Sequence, residues 1–248
     1  TQSVSPSSTT TYSIVSITDN NGCGTISVPG TAIVTVNPTP NGTITGTSPV
    51  CVGENITLTF NFTNGTGPFN IQYTDGSLTY ALNGISSGAT ATHAAVAGVT
   101  YSYTSITDAN TCVRTSGFGG NAPIVVNPLP VGTVSGATTI CNGQTADLVF
   151  NFTAGTGSYD VDYFNGSTTV SLSNISNGHI ETVSPTSTTT YSITEITDNN
   201  NCVNSSVSSS TVITVNPAPS GTMSAQSPIC QGQSSDITFS FSSGTGPF

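Results

Sequence analysis

The 248-residue chain carries 11 acidic residues and one basic residue, Arg114, for a formal net charge of −10. A chain without lysine has no basic face for nucleic acid, and an anionic membrane surface repels it. Only 5% of residues are charged while 34% are hydrophobic, and the apolar residues alternate with Ser, Thr and Asn, a composition that suits strands and turns rather than helices.

The first element in chain order is also the first sign of repetition. Thr11-Tyr12-Ser13-Ile14-Val15-Ser16-Ile17-Thr18-Asp19 returns from Thr100 to Asp108 and from Thr190 to Asp198. Tyr12, Tyr101 and Tyr191 lie 89 and 90 residues apart. Val36-Asn37-Pro38-Thr39-Pro40 recurs at Val126 to Pro130 and at Val215 to Pro219, and Cys51 recurs at Cys141 and Cys230. Three landmarks share one period, which is too long for helical solenoids and fits an immunoglobulin-sized sandwich of roughly 100 residues.

The first whole period reads as seven strands and no helix. Gly42 to Gly46 is an edge strand. Ile56-Thr57-Leu58-Thr59-Phe60-Asn61-Phe62 alternates at period two, as a half-buried strand does. Asn64 to Pro68 turns, Phe69 to Tyr73 follows, and Asp75-Gly76 turns again. Leu78 to Leu82, Ala89 to Val96, Thr100 to Thr107 and Ile124 to Val126 complete the unit. Leu58, Phe60, Phe62, Ile71, Tyr73, Tyr101, Tyr103 and Ile106 are its expected core, with Tyr191, Ile193 and Ile196 on the matching strand of the next period. Tyr101, Tyr103 and Ile106 reach one face only if a bulge intervenes.

The expected fold is therefore all-β, with tandem immunoglobulin-like sandwiches of about 90 residues forming a head-to-tail rod. Asn-Pro-x-Pro marks the joints, because proline stops a central strand and favours extended, semi-rigid geometry. The expected domains are a partial repeat 1–38, whole repeats 39–128 and 129–217, and a partial repeat 218–248. With no initiator Met, no visible signal peptide and no apolar run of membrane-helix length, the chain reads as part of something longer.

The units resemble the immunoglobulin-like and PKD-like repeats of very large cell-surface adhesins of Bacteroidetes bacteria. Ile140-Cys141-Asn142-Gly143-Gln144, Phe150-Asn151-Phe152-Thr153 and Thr190-Tyr191-Ser192-Ile193 through Asp198-Asn199 to Cys202 carry the resemblance. Such repeats occur in gliding-motility adhesins and other type 9 secretion substrates. The resemblance implies an exported protein at the extracellular cell surface, whose repeats have no catalytic residues to transfer.

Candidate chemistry is sparse. His93 and His179 fall at similar places in or beside one strand of two repeats, with no serine elbow or paired carboxylates nearby in sequence, and read as solvated strand residues. Each repeat has an Asp-rich turn at Asp19, Asp108 or Asp198. One carboxylate per turn is short of what calcium needs, and Asx residues suit such turns without metal. Asp160 and Asp162 share a face if their strand is regular, but the matching repeat has Asn70 and Gln72 in their places. No metal, cofactor or catalytic residue is expected. Asn-x-Ser/Thr sequences are expected from composition alone.

The six cysteines come two per period without a Cys-x-x-Cys pair, which favours disulfides over zinc. Within repeats, Cys51 would pair with Cys112 and Cys141 with Cys202, each 61 residues apart. Strand counting sets the two members of each such pair at opposite ends of a sandwich. That favours an inter-repeat bond between Cys51 and Cys202, with Cys23 and Cys230 pairing outside the chain. Both schemes stand at this point. Pro68, Phe69 and Tyr159 are candidate ligand-loop residues, and the alternative for both aromatics is the core.

The expected function is a structural or adhesive stalk that spaces an adhesive tip from the cell or forms a surface filament, with no enzymatic activity. The alternative is a module binding glycans or another surface through inter-strand loops. Expected partners are neighbouring repeats, surface glycans or other cell-surface proteins, without nucleic acid and without membrane insertion.

Overall fold

The computed structural model describes residues 1–26 and 28–247; Ser27 and Phe248, inside the first and last expected repeats, lie outside the described residues. Two compact units divide the chain, Thr1–Val126 and Asn127–Phe248. Every regular element among the described residues is a strand, so no helix there is long and apolar enough to cross a membrane.

In the first unit, Asn55–Asn64 is the central strand of a three-stranded sheet, between Asn41–Gly46 and Ala89–Ala94. Its alternation works as the pattern dictates: Ile56, Leu58 and Phe60 are fully buried and the threonines between them are not. The facing sheet runs Val113–Arg114, Thr100–Thr107, Phe69–Thr74, Thr79–Ile85, with Ala122–Pro123 also on Thr100–Thr107. Ala89–Ala94 follows Thr79–Ile85 in sequence yet pairs with the other sheet. That crossover makes two sheets with a shared core, an immunoglobulin-like β-sandwich, rather than one meander.

The second unit repeats the plan. Val131–Ser135, Ala146–Ala154 and His179–Val183 form one sheet. The other runs Thr138–Cys141, Ser210–Asn216, Thr189–Asp198, Tyr159–Phe164, Thr169–Ile175. Thr138–Cys141 lies parallel to Ser210–Asn216. The strand predicted from Leu78 begins at Thr79, and Leu78 is exposed. The last strand of the first whole repeat is interrupted, with Ala122–Pro123 and Val126–Asn127 as separate pieces.

Seven of the eight side chains expected in the first core are buried, and Phe62 is half-buried against it; Tyr191, Ile193 and Ile196 are buried in the second. The expected bulge is present. Register slips between Tyr103 and Ser105 against Phe69–Thr74, and the matching slip passes over Thr194, between Ile193 and Glu195. The inserted threonine turns the strand's second half over, so Ile106 and Ile196 face inward with the tyrosines.

Facing sheets supply the burial. Phe60 and Phe150 are fully buried, whereas Phe239, one period after Phe150, is 61% exposed on Ile237–Ser243, which among the described residues pairs with Ser220–Ala225 alone. Covering such a ring contributes about 2–3 kcal/mol.

Thr194→Ala should cost less than about 1.5 kcal/mol, because the bulge survives, while deletion of Thr194 should cost at least about 3 kcal/mol by turning either Tyr191 or Ile196 to solvent. Urea unfolding of the two variants checks this.

Candidate functional site

The same turn is built three times from one carboxylate. Asp108 and Asp198, each 4% exposed, accept N–H donors at both oxygens. Asp108 Oδ1 takes Asn110 N at 3.0 Å and Cys112 N at 2.9 Å, and Oδ2 takes Thr66 N at 3.0 Å. Asp198 Oδ1 takes Asn200 N and Cys202 N, each at 3.0 Å, and Oδ2 takes Thr156 N at 2.8 Å. Asn110 and Asn200 donate their side-chain amides to Thr66 and Thr156 Oγ1 at 2.9 and 2.8 Å. Asp19 accepts Asn21 N and Cys23 N in the same way. These carboxylates serve backbone donors, so the turn reading of the Asp-rich segments holds.

The other cysteine of each period has its own anchor. Cys51 N donates to Glu54 Oε2 at 2.8 Å, Cys141 N to Gln144 Oε1 at 2.9 Å and Cys230 N to Gln233 Oε1 at 3.0 Å. Sequence reasoning passed over this acceptor three residues after the cysteine, although its recurrence in all three periods was the signal that could have found it. Arg114 and Asn204 were likewise missed as equivalents. Arg114 Nε donates to Pro40 O at 2.7 Å and Asn204 Nδ2 to Pro130 O at 2.8 Å, each closing its repeat onto its own leading proline.

Cys51 and Cys202 are disulfide-bonded, and both are buried. Cys23, Cys112, Cys141 and Cys230 have no disulfide partner among the described residues. The within-repeat pairs Cys51 with Cys112 and Cys141 with Cys202 are thereby corrected. The reason is geometric. Cys51 precedes the ten-residue strand Asn55–Asn64, whereas Cys112 is held beside Thr66, beyond that strand's far end. At about 3.3 Å per residue the two thiols are roughly 30 Å apart, against the 7 Å or so a disulfide spans. Cys141 and Cys202 flank Ala146–Ala154 in the same way.

Phe69 and Tyr159 belong to the core. Both are buried, and they stack on Phe62 and Phe152 with centroids 4.1 and 3.9 Å apart, so neither ring offers a face to a ligand; Pro68 is exposed. Asp160 Oδ1 accepts Asn174 N at 2.7 Å, as Asn70 Oδ1 accepts Gly84 N at 2.8 Å. That shared structural role explains the Asn-for-Asp exchange. Asp162 lies opposite Glu195, but among the described residues no group of three or more His, Cys, Asp and Glu is arranged to hold a metal ion.

The histidines do not occupy equivalent places. They share a strand position class, but His93 faces Ile56 and His179 faces Phe150, at opposite ends of that strand. Nor is His93 simply solvated. Tyr73 OH lies 3.0 Å from its Nε2, and Tyr80 and Tyr101 pack on it at 4.7 and 5.1 Å. Burial among these rings holds the His93 pKa below its ordinary value, partly opposed by Asp75. Tyr80 donates to Asp75 Oδ2 at 2.9 Å, which pushes its own pKa up to about 12. His179 lies 3.7 Å from Glu181.

No family model matches the sequence, and no curated protein matches it. Among solved structures the chain is similar to the fibronectin(III)-like modules of Clostridium thermocellum CbhA, at 12% identity over 70% of this chain and 94% of that one with a TM-score of 0.33. It is also similar to a marsupial T cell receptor, at 14% identity over 75% and 77% of the two chains with a TM-score of 0.44. The assignment of immunoglobulin-like β-sandwich domains rests on the strand order.

Asp198→Ala should destabilise the protein by about 3 kcal/mol, by stranding three N–H donors, and Asp198→Asn by somewhat less; thermal unfolding by circular dichroism measures both. A depressed His93 pKa means that the unfolded chain takes up the proton first. Stability is therefore full above about pH 6.5 and falls as pH drops through the folded value. His93→Gln should lose less of its melting temperature than the native chain between about pH 8 and about pH 5; equal losses would refute the linkage.

Proposed function

We propose that this chain is a stalk segment of a secreted surface protein, whose repeats space an adhesive tip from the cell or build a surface filament. The observation that carries this reading is the duplicated scaffold. Successive repeats share one strand plan, one buried carboxylate turn and one cysteine anchor. A disulfide and very low charge fit an extracellular setting.

The covalent element of the proposal is a bond from Cys51 to Cys202, joining one repeat to the next. By periodicity Cys141 and Cys112, like Cys23 and Cys230, would pair with cysteines outside this chain. Such a bond closes a loop of about 150 residues, for which chain entropy gives about 5 kcal/mol of stabilisation. Load along the stalk would then bypass the folded residues between the two cysteines.

Peptide mapping without reductant, with a protease other than trypsin because Arg114 is the sole basic residue, should recover Cys51 linked to Cys202. A Cys51–Cys112 peptide overturns the clamp. Single-molecule pulling tests the load path: reduction should add about 500 Å of contour length, the extent of some 150 residues at about 3.4 Å each. Native-surface electron micrographs without thin filaments or stalks would count against the spacing role.

A further inference from the structure

We infer that the second whole repeat holds a binding cleft for an imidazole ring, the side-chain chemistry of histidine, framed by Tyr163 and Tyr191. This goes beyond the spacing role, and no result below bears on that role.

The first repeat has the same frame with its occupant in place. Tyr73 and Tyr101 stand with ring centroids 6.4 Å apart, and their counterparts Tyr163 and Tyr191 stand 6.3 Å apart, inclined at 49° and 45°. Against the first pair lies the His93 ring, 5.8 Å from Tyr73 and 5.1 Å from Tyr101, with Nε2 3.0 Å from Tyr73 OH. His93 pairs with Ile56, and the corresponding residue of the second repeat, opposite Ala146, is Val183. Val183 brings no ring and no nitrogen, and with Tyr163 and Tyr191 it lines an open cleft of about 440 Å³. The Tyr163 hydroxyl has no hydrogen-bond partner among the described residues, although Tyr163 is only 3% exposed. A buried tyrosine that faces a cleft and lacks the partner its counterpart has points to a ring supplied from outside.

The remaining walls bear on how that ring is carried. Ser184, Thr186 and Ser187 line the cleft where the first repeat has Ala94, Val96 and Ala97. Apolar residues suit a corner whose ring belongs to the chain itself. Hydroxyls suit an occupant that brings peptide amides with it. The cleft is larger than one five-membered ring needs and falls in the range of small-ligand sites, so a length of peptide fits beside the ring. Both histidines of this chain pack on rings of their own repeats, His93 on Tyr73 and His179 on Phe150. The occupant is therefore a histidine side chain of a different polypeptide.

The test titrates the whole chain with N-acetylhistidine methylamide, with imidazole, and with N-acetylphenylalanine methylamide as a ring without nitrogen, read by NMR shifts of the tyrosine rings. The histidyl amide should bind with a Kd below about 10 mM. It should shift Tyr163 and Tyr191 and leave Tyr73 and Tyr101, whose place His93 takes, unmoved. Affinity above that of imidazole supports a polypeptide source, and affinity equal to or below it overturns that source. Tyr163→Phe should weaken binding about five-fold or more with the melting temperature unchanged, because the hydroxyl has no partner within the chain. Val183→His, which restores the arrangement of the first repeat, should abolish binding. The inference is overturned if the histidyl amide does not bind at about 50 mM, if the phenylalanyl amide binds as tightly, or if either variant binds as the native chain does.

Discussion

A buried carboxylate governs the geometry of each whole repeat. Burying an ionised group is costly unless it is hydrogen-bonded throughout, and Asp108 and Asp198 meet that condition with three backbone N–H donors apiece. The donors come from two places. Two belong to the turn after the strand Thr100–Thr107 or Thr189–Asp198, and one belongs to the loop by which the chain passes from one sheet to the other. A single side chain thus fixes the sandwich's end, the spacing of its sheets and the direction in which Cys112 or Cys202 is presented. Replacing this arrangement with metal coordination would leave those N–H groups without acceptors.

With the ends fixed in this way, the core needs only alternation and one correction to it. Leu58, Phe60 and Ile71, or Leu148, Phe150 and Val161, follow the strand period directly. The bulge at Thr104 and Thr194 reconciles an inward tyrosine pair with an inward isoleucine three residues later. The hydroxyls fare differently there. Thr194 donates to Asp162 O at 3.0 Å, while Thr104 Oγ1 is buried with no partner among the described residues. The second repeat therefore tolerates its bulge at less cost in unsatisfied polar groups.

One set of differences between repeats lies at the opposite end of the sandwich from the carboxylate turn. Tyr80, His93 and Asp75 form an aromatic corner in the first repeat, where the second has Val170, Val183 and Asn165. None of these exchanges touches the carboxylate turn or the strand order. A repeated scaffold can keep its joints constant and still differ in what its loops present.

The period, the strand alternation, most of the core and the need for a bulge were legible from the sequence, because each depends on spacing along one chain direction. Tyr101, Tyr103 and Ile106 could be assigned to one face before any pairing was known. Other features depend on which ends meet in space. Only the tertiary structure decided that Phe69 and Tyr159 stack inward, that Asp160 caps Asn174, and that His93 and His179 stand at opposite ends of their strand. The cysteines show the division most clearly. Equal spacings of 61 residues made Cys51 and Cys112 look like partners, but a ten-residue strand between them separates their ends by its full length. Sequence distance reports how much chain lies between two thiols, whereas strand direction, set by backbone pairing across two sheets, determines how far apart they are.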